Sequence, residues 1–289
     1  MHSEFRDGNV PAGYEQLRVF KEALELLPVG VESVYLRSDA AGYQHDLLRY
    51  CAEGANSRFG VIKFAIGADV TPSFRQSVSE VGESDWHRLY RKVDGCLVDT
   101  GQDYAEVCFV PSELSRKKDG PEYRFLAIRE PLSQPDLPGL DLQRELPFQT
   151  MDLGTTRYKV TGIVTNRAIP GDELIWWYRK RCGRSEQVHA VMKEDLAGGR
   201  LPSGKFGVNA AWWQIMILAL NLNSAMKRLV LGGDWVSKRL KAIRFWLINL
   251  PGRVAKSGRE LTIRLVGGHL SNETLLAARA RMASFYDTS

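Results

Sequence analysis

Cysteine is scarce in this chain, and its four cysteines, Cys51, Cys96, Cys108 and Cys182, are scattered without the paired spacing of a metal site. That argues against a structural zinc and a disulfide framework, and it suits a reducing cytoplasm. Long hydrophobic runs are missing too. The longest apolar stretch, Trp212 to Leu222, is interrupted by Gln214 and Asn221. A bilayer span needs about 20 apolar residues, so this stretch reads as a buried helix. The first residues are polar and charged, unlike a secretory signal, and no internal repeat is evident. Acidic residues are nearly absent from Lys227 to Arg264, where only Asp234 and Glu260 stand against ten lysines and arginines.

The rest of the composition is that of a globular protein large enough to bury a sizeable core. The chain has 289 residues, 44% hydrophobic and 25% charged, with a net charge of +5 and a pI near 9.0. The mild overall basicity matters less than its concentration in the Lys227–Arg264 segment. A one-sided run of cations, Lys238, Arg239 and Lys241 among them, is the electrostatic footprint expected of a nucleic-acid-facing surface.

Periodicity gives an order of elements. Apolar residues Leu17, Phe20, Leu24 and Leu27 predict a helix over residues 12–27, closed by Pro28. Residues 34–37 read as a strand ending at Ser38-Asp39, residues 43–51 as a helix, 59–66 as a strand and 72–81 as a helix. This alternation predicts an α/β sheet covered by helices, with parallel neighbours. Asp39 then stands at the carboxyl end of a strand, where open α/β sheets place ligands, although an Asp in that position is more often a cap. After Asp85 the pattern turns β-rich, with strands expected near residues 95–100, 104–110 and 123–129. A proline-rich connector follows at 132–147, then a strand at 158–165. Pro170-Gly171-Asp172 is expected to open one long helix carrying Glu186. Apolar helices are expected at 210–222, 236–250 and 274–285.

The segment Trp176-Trp177-Tyr178-Arg179-Lys180-Arg181 through Glu186 to Lys193 is the most distinctive in the chain. It sets one carboxylate among cations and aromatics. On a continuous helix, about seven residues make two turns, so Glu186 and Lys193 would share a face. A carboxylate beside cations suits a metal ligand facing a polyanion.

With Leu36-Arg37-Ser38-Asp39-Ala40-Ala41-Gly42-Tyr43, this segment makes the chain resemble the DDE-type transposases of bacterial insertion sequences. These are members of the RNase H-like superfamily, and the likeness is to the subgroup with a β-strand insertion before the last carboxylate. In that family the second Asp ends a strand and precedes a small residue, a Gly and an aromatic. The third carboxylate lies on a helix reading Tyr, Arg, Glu, Lys. Tyr178, Arg181, Glu186 and Lys193 match in type, and the Glu-to-Lys spacing matches. Four residues separate Arg181 from Glu186 where the family has three, so Arg179, Lys180 and Arg184 are alternatives to Arg181.

The resemblance implies a partial RNase H-like mixed sheet with flanking helices over residues 1–84 and a β-rich insertion and connector over 85–150. It also implies a last core strand with the Glu helix over 151–200 and a basic helical region over 201–289. It implies metal-dependent DNA strand cleavage and transfer. Asp39 and Glu186 would be catalytic carboxylates binding Mg²⁺ or Mn²⁺, with Tyr178, Arg181 and Lys193 serving DNA. Transposon ends and target DNA are the implied partners, with homo-oligomerisation and a nucleoid-associated cytoplasmic location. The family's first Asp has no counterpart: Asp7, in a turn composition, is the only Asp before Asp39. An amino-terminally truncated, catalytically impaired transposase with an exposed sheet edge is therefore expected. Two alternatives stay open. One is a different two-metal nuclease recruiting Asp69 or Asp46; the other is a non-enzymatic, inhibitory DNA-binding protein.

Overall fold

The computed structural model describes all residues except 1–3, 7, 12, 112–113, 115–122, 133–147, 182–183, 197 and 287–289, together with the side chains of 184–186. Asp7, the 116–120 turn and the proline-rich connector therefore lie outside the described residues. The chain divides into two compact units, one of residues 10–182 and one of residues 1–9 with 183–289.

The 10–182 unit begins with α1 (Gln16–Glu25), β1 (Tyr35–Ser38), α2 (His45–Ala52), β2 (Lys63–Ala68) and α3 (Pro72–Ser79). It continues with β3 (His87–Val93), β4 (Cys96–Val107), β5 (Arg124–Pro131), β6 (Thr150–Leu153), β7 (Thr156–Thr165) and α4 (Gly171–Arg179). The strands form a seven-stranded mixed sheet in the order β1-β2-β7-β5-β4-β3, with β6 also on β7. Only β1 and β2 run parallel, in the register Tyr35↔Lys63 to Ser38↔Ile66. The other pairings are antiparallel. The expectation of parallel neighbours thus holds for the first two strands alone. β3, β4 and β5 come from the insertion, and the tight turn between β3 and β4 returns the chain antiparallel.

Burial explains the arrangement. Phe64 and Ile66 of β2, Phe125 of β5 and Val164 of β7 pack on one face of the sheet with Phe74 and Leu48 from the α2–α3 side. Ala65, Leu126 and Ile163, one residue out of phase, pack on the other face with Leu174 and Ile175 of α4. Strands covered on both faces lose the polar alternation of a half-exposed strand, which is why β2 reads as a continuous apolar run. Each fully buried phenylalanine contributes about 1.5–3 kcal/mol. Among the described residues β1 pairs only with β2, and its Tyr35 is 56% exposed.

Two departures from expectation lie in the insertion. β4 is one long strand where two were expected, carried past Gly101 (φ +72°) by a register shift opposite Arg88 and Tyr90. β3, whose sequence His-Arg-Leu-Tyr-Arg-Lys-Val buries only Leu89, was not anticipated. It turns into β4 at Asp94-Gly95, both with positive φ, the backbone of a type I′ hairpin.

The second unit contains α5 (Arg184–Ala190), α6 (Phe206–Ala225), α7 (Gly233–Val236), α8 (Leu240–Ile243), β8 (Gly252–Ser257), β9 (Glu260–Leu265) and α9 (Ser271–Tyr286). π-helical turns follow α5 at Val191–Asp195, α6 at Met226–Leu231 and α8 at Arg244–Ile248. A small core joins Met192, Ile217 and Leu220 with Trp213 and Val188. The single helix expected over 236–250 is broken, and the β8–β9 hairpin was not foreseen. Among the described residues no helix is long and apolar enough to cross a membrane.

Candidate active site

Asp39 follows β1 directly, and its carboxylate accepts a hydrogen bond from Ala41 N at 3.2 Å, capping the short 3₁₀ turn Ala40–Gly42. The cap uses one Oδ atom and leaves the other to face Arg181, with the side chain 61% exposed. Arg181, just beyond α4, brings Nη1 to 3.8 Å from Asp39 Oδ2. Its Nη2 donates to Tyr178 Oη at 3.4 Å, and its guanidinium lies over the Tyr178 ring at 5.1 Å. Gly67 of β2 makes this approach feasible. A Cβ there would fall 2.9 Å from Tyr178 Oη, closer than real Cβ contacts come, and 3.0 Å from Ala40 N, tighter than most of them. Three residues singled out in the sequence, Asp39, Tyr178 and Arg181, therefore meet at the carboxyl ends of β1 and β2.

A cleft of about 440 Å³ opens beside them, lined by Ala40, Gly67, Asp69, Thr71, Gly162 and Tyr178. Asp69 also borders a larger depression with His45, Asp46 and Phe109. Burial raises the Asp69 carboxyl above its ordinary pKa, with the nearby His45 charge opposing. The cap of α3 is Thr71, whose hydroxyl accepts from Phe74 N at 3.2 Å, so Asp69 is spared that task. Sequence reasoning found Asp69 and Asp46 as alternatives but gave no sign of His45 beside them.

Glu186 and Lys193 belong to the second unit. The continuous helix expected from Pro170 ends at Arg179, with Lys180 as its C-cap, and Glu186 lies on the separate α5. Lys193, exposed, stands in the π-helical turn after α5. The widened turn shifts angular phase, so the shared-face argument built on 3.6 residues per turn does not carry across it. The Glu186 side chain is outside the described residues.

The basic residues read as DNA contacts differ in their freedom. Lys241 is exposed, and Lys238 is exposed with its Nζ 4.5 Å from the Trp235 ring. Arg239 is committed within the unit: it donates to Asp195 at 2.8 and 3.2 Å and to Glu194 at 2.9 Å. These hydrogen bonds, to Asp195 first, raise its pKa. Lys227 is 8% exposed and donates to the Lys238 carbonyl. Desolvation lowers its pKa, against the pull of Asp195.

Asp39 offers a hard oxygen donor of the kind Mg²⁺ takes. Among the described residues no group of three or more His, Cys, Asp or Glu side chains could hold a metal ion.

No curated protein and no solved structure matches the chain. Residues 149–286 match the family described as transposase DDE domain group 1, a segment that includes Tyr178, Arg181, Glu186, Lys193 and the basic stretch but not Asp39. DDE transposase domains act on DNA and generally use divalent metal ions. Through residues 149–286, the chain is thus similar to a DDE-type transposase domain.

Proposed function

We propose that Asp39 and Glu186 are the catalytic carboxylates of this transposase domain, that they serve one divalent ion, Mg²⁺ or Mn²⁺, and that DNA strand cleavage by the chain is weak. The observation that supports the reading best is the 3.8 Å approach of Arg181 to Asp39, with Tyr178 beside both. It unites the residue that resembles the family's second carboxylate with two from the motif of the third. A divalent ion held by Asp39 and Glu186 would polarise a phosphoryl oxygen and make a bound water more acidic. In this reading Arg181 and Lys193 neutralise phosphates of the DNA strand, and Tyr178 packs against its sugar or base. Transposon ends and target DNA are the partners. Weak cleavage follows from the carboxylate count, since two residues match where the family has three.

The test is nicking of supercoiled plasmid by the purified chain with Mg²⁺ or Mn²⁺, beside a duplex-binding titration. DNA binding with little or no nicking is expected. Strong metal-dependent nicking abolished by Asp39→Ala and by Glu186→Ala would keep the site and overturn the claim of weak activity. Absence of DNA binding at low salt would overturn the reading as a whole.

A further inference from the structure

The β8–β9 hairpin stands out in the second unit for its exposure and its cations. Every residue of both strands is exposed except half-buried Ala255. The strands are joined by the two-residue loop Gly258-Arg259, with Gly258 at φ +61°. An isolated two-stranded hairpin is at best marginally stable in water. This one adds a liability, since Arg253 and Arg264 are directly opposite each other. Like charges across a ladder repel unless an anion lies between them.

The register separates the two faces. One carries Arg253 with Arg264, Ala255 with Thr262, and Ser257 with Glu260. Among these are side chains that read base edges: arginine for guanine O6 and N7, glutamate for the cytosine amino group, hydroxyls for either. The opposite face carries Val254, Ile263 and Leu261, 63%, 65% and 67% exposed. Lys256 and Arg259 add charge at the tip. Six residues per strand span roughly 20 Å, and paired strands lie about 4.8 Å apart. That cross-section enters the B-DNA major groove, about 12 Å wide, which admits a two-stranded ribbon.

We propose that the β8–β9 ribbon is a duplex-DNA-reading element, docking its Arg253/Arg264 face in the major groove. The inference rests on the reading of the chain as a DNA-acting transposase domain. A groove-bound ribbon sets phosphates and base acceptors around the two guanidiniums, which turns their repulsion into recognition.

The experiment is a duplex-binding titration of the full chain over a salt series, with dimethyl sulfate probing of guanine N7, for the wild type and the R253A/R264A double variant. The variant should bind about tenfold more weakly, with a shallower salt slope because two cations leave the phosphate field. Wild-type protein should protect guanine N7, and the variant should not. Removing two repelling charges should leave the melting temperature unchanged or raise it, which separates lost recognition from lost folding. K256A/R259A provides a second variant, with a smaller loss expected. An RNA duplex of the same sequence should bind more weakly, because its deep, narrow major groove excludes the ribbon. If the wild type binds duplex DNA while R253A/R264A keeps the same affinity and slope, the ribbon proposal fails and the broader reading stands. Unprotected N7 positions, or equal binding of the RNA duplex, also overturn groove docking. If the wild type binds no duplex at all, both readings fall.

Discussion

Arg181 Nη1 lies 3.8 Å from the Asp39 carboxylate, joining the end of the first strand to the segment just beyond α4. The pair is solvent-accessible, with the Asp39 side chain 61% exposed, so its direct contribution to stability is small, on the order of 0–1 kcal/mol. Its significance is placement: a cation and a phenol are held beside the carboxylate that follows β1.

Arg181→Ala should therefore change DNA affinity far more than stability. Its melting temperature should stay near the wild-type value, while duplex binding weakens and the salt slope becomes shallower by about one. Lys193→Ala should behave alike. Weaker Mn²⁺ binding with unchanged DNA affinity in either variant would reverse the assigned roles.

Gly67→Ala should destabilise the 10–182 unit by about 1–3 kcal/mol, the cost of forcing a methyl into a filled site. The added Cβ meets backbone at Ala40 as well as the flexible Tyr178 hydroxyl, so a side-chain rotation alone does not relieve it. Thermal melts of Gly67→Ala and of Gly67→Ala/Tyr178→Phe decide the matter. Full rescue in the double variant would place the whole clash on the hydroxyl and contradict the backbone part.

Arg129 is the main buried charge of the sheet, 4% exposed. It donates to Glu83 and Asp103, at 3.2 Å to the latter, and stacks between Trp86 and Tyr158 at 4.3 and 4.9 Å. Arg129→Met should cost about 3 kcal/mol or more, because it leaves the largely buried Asp103 carboxylate with less compensation. The Arg129 hydrogen bond holds the Glu83 carboxyl below its ordinary pKa. A depressed carboxyl stabilises the fold fully above its unfolded pKa, and that stabilisation is lost as pH falls through the folded one. The loss should thus appear below about pH 4.3, the usual glutamate value, and be absent in Glu83→Gln. Acid melts of the two proteins test it.

Thiol labelling offers a direct check of packing. Cys51 is buried, and desolvation pushes its thiol up to about 12, whereas Cys96 and Cys108 are exposed. Cys96 and Cys108 should react quickly near pH 8, and Cys51 only on unfolding. Rapid labelling of Cys51 in the native protein would contradict the placement of α2 against the sheet.

The first strand and its Asp39 were legible in the sequence because an apolar run, an acidic end and Ala-Ala-Gly-Tyr specify strand, stop and turn together. So was the core of β2, where Phe64 to Ile66 admits little but a buried strand. The break between α4 and α5 was not. Tyr178 to Glu186 fits helical periodicity throughout, and Gly183 disfavours a helix by only about 1 kcal/mol. The β8–β9 ribbon had a signal that charge obscured. Leu261, Ile263 and Leu265 alternate with polar residues, and Ser257-Gly258 marks a turn, but the run of cations around them also fits a solvated helical face. Asp39 beside Arg181 depended on a close approach at Gly67, and glycine in a strand advertises such contacts only weakly.

The most direct test of the central claim is a calorimetric Mn²⁺ titration of the wild type, Asp39→Ala, Glu186→Ala and Arg181→Ala. The account predicts that the wild type binds Mn²⁺, that removing either carboxylate weakens binding by about tenfold or more, and that Arg181→Ala retains it. Wild-type affinity in either Asp39→Ala or Glu186→Ala would contradict the assignment of both carboxylates to one ion.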